Sequence, residues 1–325
     1  MKFLNATLPA FATLLIALGC CGQTVVAAGK VLTVGPKGQY KTIQAAIDAV
    51  PAHSRKPIII KIAPATYKEL VTVPSDDSNI ILRGRNAKKT IITYNLGARD
   101  KGANGKEIGT FHTPTVTILG RDITAEHLTF VNSYGKGSQA VAVRTGDGPV
   151  IFRHCRFLAW QDTLYVHNPH AKIYFHKCLI QGAVDFIFGE ARAVFDHCVI
   201  RSVGSACITA PNTPKHQPYG LVFLHCSLTA SKHVRAGSVY LGRPWRAYGS
   251  TTYIDCHMSS DIAPAGWLNW QGTSYYKTAR FAEYHSTGPG ANVKLRVKWS
   301  HQLTKAQAAR YSVKAILGSG PWNSH

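Results

Sequence analysis

Acidic residues are scarce in this chain. Its 16 Asp and Glu stand against 37 Lys and Arg among 325 residues, a formal net charge of +21. Charged residues together make up 16% of the chain and apolar residues 45%, which excludes a disordered polyelectrolyte and a long polar coiled coil. The same scarcity makes every carboxylate in a polar motif worth tracing. Long apolar runs are also missing. Leu8 to Leu18 is interrupted by Thr13, is too short for a membrane span and fits a signal-peptide core. No G-x-S-x-G elbow, H-E-x-x-H helix, C-x-x-C zinc spacing or Gly-rich phosphate loop occurs, so the usual signatures of serine hydrolases, zinc proteases and nucleotide-binding enzymes are absent.

The basic excess suits a polyanionic partner: acidic polysaccharide, nucleic acid or an anionic membrane. Nucleic acid is disfavoured, because the cations are scattered and form neither a zinc-finger spacing nor a basic reading helix. Solubility alone is the competing explanation of the charge. Lys2 and the apolar run behind it read as a signal peptide over residues 1–28, with Val26-Ala27-Ala28 as the cleavage site. Leu18-Gly19-Cys20 resembles a lipobox and is the alternative, leaving Cys20 lipidated. Residues 29–325 read as one domain, and a monomer is the default.

What is present is an internal repeat. Cys155, Cys178, Cys198, Cys226 and Cys256 each follow a short segment led by Phe152, Phe175, Phe195, Phe223 or Tyr253. Four of these segments carry a histidine: His154, His176, His197 and His225. A short repeat of this kind, rich in Val, Ile and Phe and without intervening helices, predicts an all-β solenoid, a parallel β-helix. The cysteines suit an interior ladder of small apolar groups; structural disulfides are the alternative that an oxidising compartment permits. Cys207 falls outside the pattern. Lys41 to Val50 reads as a short helix stopped by Pro51. Thr304 to Gln307 reads as a capping box whose apolar face continues through Tyr311, Ala315 and Leu317 to Gly318. These helices close or flank the solenoid.

The repeat supplies an internal ruler. Asp162 lies as far after Cys155 as Asp185 lies after Cys178. If the coils keep register, the two aspartates stack on adjacent turns and point the same way; a bulge would break this. Gln139 precedes Asp162 by the same interval that separates Asp162 from Asp185, which puts it one turn further back, and Gln161 adjoins Asp162. Two carboxyl groups this close repel, so one pKa should rise and the other be held down. That splits them into an acid and an anionic base or nucleophile, with the amides of Gln139 and Gln161 available to a developing oxyanion. Arg243, in an aromatic loop-like segment, is a candidate to hold the ionised aspartate. Trp245, Trp267 and Trp270 are either packing or sugar-facing surface.

At these residues the sequence closely resembles the pectin methylesterase (pectinesterase) family. The matching strings are Gln139-Ala140-Val141-Ala142, Trp160-Gln161-Asp162-Thr163-Leu164-Tyr165, Gly182-Ala183-Val184-Asp185-Phe186-Ile187-Phe188-Gly189 and Leu241-Gly242-Arg243-Pro244-Trp245. Gly38 to Ile47 and Gly266-Trp267-Leu268-Asn269-Trp270 also match, so the likeness runs from about residue 32 to 318. The resemblance implies a right-handed, single-stranded parallel β-helix and hydrolysis of methyl esters in polygalacturonate, with no metal or organic cofactor. It implies Asp185 as nucleophile, Asp162 as general acid and then base, Gln139 and Gln161 as stabilisers of the intermediate, and Arg243 as the partner of Asp185. Trp245, Trp267, Trp270 and Phe186 are the corresponding candidates for binding substrate. Three positions depart from the pattern: Ala183, where many members carry Thr; Glu190, where many have Asn or Asp; and Ala65, at a Gly position.

The expected partner is methyl-esterified pectin, which grows more anionic as it is processed, and the expected location is outside the cell or in the wall. A periplasmic or outer-membrane form would follow from lipidation of Cys20. The competing functions are another β-helical polysaccharide hydrolase or lyase, a thioesterase, or a non-catalytic carbohydrate-binding module. A glycosidase also uses paired carboxylates.

Overall fold

The computed structural model describes residues 29–323. The proposed signal peptide, both processing sites and Cys20 lie outside the described residues.

Among the described residues, three parallel sheets of eleven, eight and seven strands carry the chain. It passes from the first sheet to the second and then the third before rejoining the first one coil further on, which makes a right-handed parallel β-helix. Register follows the repeat. Phe152 pairs with Phe175, Phe175 with Phe195, Phe195 with Phe223 and Phe223 with Tyr253. Their rings stack down the interior with centroids 4.9, 4.5, 4.5 and 4.5 Å apart, close to the spacing between neighbouring strands. Burying such rings is the main favourable contribution of each coil.

The five repeat cysteines are buried beside this stack as free thiols. Each Sγ–H points at a carbonyl of the preceding coil: Cys178 at Phe152, Cys198 at Phe175, Cys226 at Phe195 and Cys256 at Phe223, with Sγ to O distances of 3.2 to 3.6 Å. Cysteine therefore recurs because a small apolar group with a weak donor fits this position, not to form a bridge. The residue before each cysteine turns the corner between the first two sheets. His154, Lys177, His197, His225 and Asp255 all have φ between 51° and 53°. One left-handed residue bends the chain sharply without spending further length on a loop.

At the amino-terminal end, Ile43–Asp48 is helical, shorter than the Lys41–Val50 expectation, and buries Ile43, Ala46 and Ile47. Glu69 accepts the N–H groups of Ile43 and Gln44 at 2.9 and 3.1 Å, satisfying donors that a helix start leaves free. At the other end the Thr304–Gln307 capping box forms. The helix then breaks, because Ser312 caps a second one, Val313–Leu317. Ile316, Leu317 and Trp322 lie on the outer face of the first sheet against Ile151, Tyr174 and Val194. This segment flanks the solenoid and does not close its end. Among the described residues no helix is long and apolar enough to cross a membrane.

Candidate active site

The site lies on the outer face of the third sheet, with the two aspartates on adjacent coils as their spacing predicts. Arg156 pairs with Leu179 before the aspartate corner and Leu164 pairs with Ile187 after it. The offset between the two coils is thus preserved across the turn. Asp162 and Asp185 occupy equivalent positions on adjacent coils, both left-handed, with φ of 64° and 47°. Non-glycine residues seldom adopt this conformation, and here it aims two carboxyl groups outward from the same edge.

Gln139 departs slightly from the ruler. Ala140 N–H donates to Gln161 O, and Ala142 and Val143 N–H both donate to Thr163 O. One residue is absorbed in this doubled contact, a local bulge. The Ala140 contact, which precedes this bulge, sets Gln139 alongside Gln161, so the two amide residues are neighbours across coils. A cleft of about 280 Å³ brings Gln139, Gln161, Asp162, Asp185 and Arg243 together with Trp245 and Trp270.

Arg243 follows the strand Tyr240–Gly242 and reaches back two coils. Its Nε donates to Asp185 Oδ1 at 3.0 Å and its Nη2 to Oδ2 at 2.6 Å. This forked contact fixes the carboxylate plane. The guanidinium also lies over the Trp270 ring, 4.4 Å from its centroid, which holds both in place. Asp185 is buried, 5% exposed, and its N–H donates to Cys207 O at 2.7 Å. Cys207, the cysteine outside the repeat, thus forms part of the strand beneath the site.

Burial pushes the Asp162 carboxyl well above the ordinary carboxylate range; the neighbouring Asp185 charge adds to this and Arg243 opposes it. Burial also raises Asp185, but the hydrogen bonds and charge of Arg243 counter it, and the rise is smaller. The expectation that one group is held below its ordinary value is corrected: desolvation outweighs the arginine. The order survives, with Asp162 the more easily protonated of the two.

Two expected substrate contacts are not in the cleft. Trp267 is 1% exposed and stacks on Phe281 at 4.5 Å, within the interior column of rings. Phe186 is fully buried in the core, and so is the next residue, Ile187, so strict in-and-out alternation breaks between them. Phe188 faces out instead. It packs face to face on Tyr165 at 4.6 Å and edge-on to Trp245 at 5.8 Å. Phe188, Ala210, Thr110 and Phe111 line the cleft, and none of them is a site candidate in the sequence. Phe188 carries a signal, since it follows Tyr165 by the interval that separates the two aspartates and pairs with it. Thr110 and Phe111 sit on a single 3-10 turn with no repeat to mark them.

Of the departures from the family pattern, Glu190 is buried and accepts from Asn168 N–H at 3.1 Å, with His167 Nδ1 at 2.6 Å. His167 Nδ1 also lies 2.8 Å from the Tyr165 hydroxyl, so Glu190 braces the ring beneath Phe188. Ala65 opens the strand Ala65–Lys68, a conformation that needs no glycine. Ala183 is buried, two residues before Asp185.

A pectinesterase family model matches residues 30–320. Pectinesterase 31 of Arabidopsis thaliana is 37% identical over 280 residues, covering 84% of this chain and 87% of that protein. Pectinesterase/pectinesterase inhibitor 3 of the same plant is 37% identical over 301 residues, but they amount to 88% of this chain and 50% of the longer protein. The chain therefore spans about half the length of that longer relative. Among solved structures, pectin methylesterase from carrot superposes with a TM-score of 0.84 at 34% identity, covering 91% of this chain and 95% of that one.

Proposed function

The chain belongs to the pectinesterase family, and from that premise we infer its chemistry: it hydrolyses the methyl esters of polygalacturonate, releasing methanol and leaving free carboxylates. The observation that carries the assignment of roles is the forked Arg243–Asp185 contact facing the more easily protonated Asp162.

Asp185, kept anionic and oriented by Arg243, attacks the ester carbonyl carbon. The carbonyl oxygen takes the negative charge, and the side-chain amides of Gln139 and Gln161 donate to it. Protonated Asp162 delivers its proton to the methoxy oxygen as the C–O bond breaks, and methanol leaves. The remaining acyl-aspartyl anhydride is opened by water. Asp162, now a carboxylate, takes the water proton, the hydroxide oxygen bonds to the acyl carbon, and Asp185 departs as carboxylate. Both groups regain their starting states. Phe188, Trp245 and Trp270 offer apolar faces to sugar rings along the cleft.

The formal charge of +21 would draw the enzyme to partly de-esterified pectin. The family is associated with secreted, extracellular enzymes. We place this chain there too, with residues 1–28 as its leader, lipidation of Cys20 as the alternative, and residues 29–325 as one catalytic domain. Methanol release and polymer length, followed together on highly methylated pectin, test the assignment. Methanol with unchanged chain length supports it, and shortening of the polymer overturns it.

A further inference from the structure

The corner between the first and second sheets carries a second cluster of chemistry that the esterase reaction does not use. His176 ends the strand Lys172–His176 and pairs directly with Asp196 on the next coil. His197 follows Asp196 at the left-handed corner. His176 Nδ1 lies 3.2 Å from Asp196 Oδ2, and His197 Nδ1 lies 2.7 Å from Asp196 Oδ1. One ligand atom from each of the three residues falls within 4.8 Å of the other two. His225, one coil further on, brings its own Nδ1 to 3.5 Å from Asp196 Oδ1.

From this geometry we propose that His176, Asp196 and His197 bind a divalent first-row transition ion of the zinc class, with His225 able to complete the set. A tetrahedral zinc with bonds of about 2.0–2.2 Å separates its ligand atoms by about 3.3–3.6 Å. To admit the ion the close histidine–carboxylate contacts open slightly and any wider separation, up to 4.8 Å, closes. The donor set is imidazole with one carboxylate, which selects zinc, copper or nickel over magnesium and calcium. On binding, each Nδ1 offers its lone pair and the ring hydrogen resides on Nε2.

A supporting shell is already built. The Tyr174 hydroxyl donates to Asp196 Oδ2 at 2.8 Å, fixing the carboxylate as an outer partner fixes a metal ligand. Asp196 is 9% exposed, whereas the side chains of His197 and His225 are about half exposed, at 53% and 49%. An ion thus has both a buried anchor and an open approach. The ligands come from consecutive coils, so the ion would tie their corners together. The site lies away from the outer face of the third sheet that carries Asp162 and Asp185, so its role is structural.

The test uses the tag-free mature enzyme, freed of metal by a chelator and then dialysed. Zinc chloride is titrated by calorimetry, and Tm is measured with and without zinc. The proposal expects one zinc per chain and a higher Tm with zinc. Both are retained in His127→Gln, a control on the same ridge outside the set, and lost in His176→Gln and in His197→Gln. Tyr174→Phe should weaken binding about 10- to 100-fold, the usual effect of losing an outer partner. Methanol release without zinc reports that each variant is folded. The exposed His197→Gln keeps the test decisive if His176→Gln fails to fold. No saturable binding to the parent enzyme, or equal binding in parent and His197→Gln, overturns the proposal.

Discussion

Arg243 meets Asp185 as a fork, Nε to Oδ1 at 3.0 Å and Nη2 to Oδ2 at 2.6 Å, across two coils of the helix. The contact opposes the desolvation that raises the aspartate's pKa, and it holds the carboxylate in one plane.

Lysine could supply the charge but not both hydrogen bonds. Arg243→Lys should therefore lower kcat/KM about 10- to 100-fold, the equivalent of one hydrogen bond to a charged group. It should also move the acidic limb of the pH–rate profile to higher pH, because Asp185 would then ionise less readily. A pH profile of the purified variant checks both. An unshifted acidic limb would show that Arg243 does not tune Asp185.

Asp162 is raised by burial and by Asp185, so the folded protein binds its proton more tightly than the unfolded chain. By linkage this group's contribution is most favourable at low pH. It is lost as pH rises from the unfolded carboxylate value, about 3.9, through the folded one. Asp162→Asn should remove the acid and lower kcat about 10²- to 10⁴-fold. It should also raise Tm at neutral pH, with the difference vanishing at low pH, where the parent group is neutral in both states. Thermal melts across pH test the sign; a variant destabilised at neutral pH contradicts it.

Trp245 and Trp267 should respond differently to truncation. Trp245 stands in the cleft and packs against Phe188, so Trp245→Ala should raise KM for pectin with little loss of stability. Trp267 lies in the interior stack, so Trp267→Ala should cost about 3–5 kcal/mol of stability. Denaturant unfolding beside steady-state kinetics separates the two. Equal effects on stability would contradict this placement.

The solenoid was legible because its coils repeat residue types at equivalent positions. The cysteines at 155, 178, 198, 226 and 256 and the rings beside them mark one interior column, and a column of small and aromatic groups is what stacked strands require. The aspartates were legible because the ruler runs unbroken from Cys155 to Asp162 and from Cys178 to Asp185. It failed by one residue at Gln139, because that coil keeps no single offset: Thr129 pairs with Arg156 before the corner but Val143 with Leu164 after it, and spacing carries no record of the change. Spacing also carries no side-chain direction: Phe186 and Ile187 both enter the core, which breaks the alternation an ordinary strand would keep and leaves Phe188 facing out. Thr110 and Phe111 belong to a loop outside the repeat, and only the folded chain brings them to the cleft.

The most direct measurement compares methanol release by the parent enzyme and by Asp185→Asn on highly methylated pectin, with folding checked by circular dichroism. The substitution keeps the volume of the side chain and removes its nucleophilic oxygen charge. If Asp185 is the nucleophile, the folded variant releases methanol about 10⁴-fold more slowly, or slower still, as for loss of a catalytic nucleophile. A folded Asp185→Asn enzyme that releases methanol at the parent rate would contradict that role.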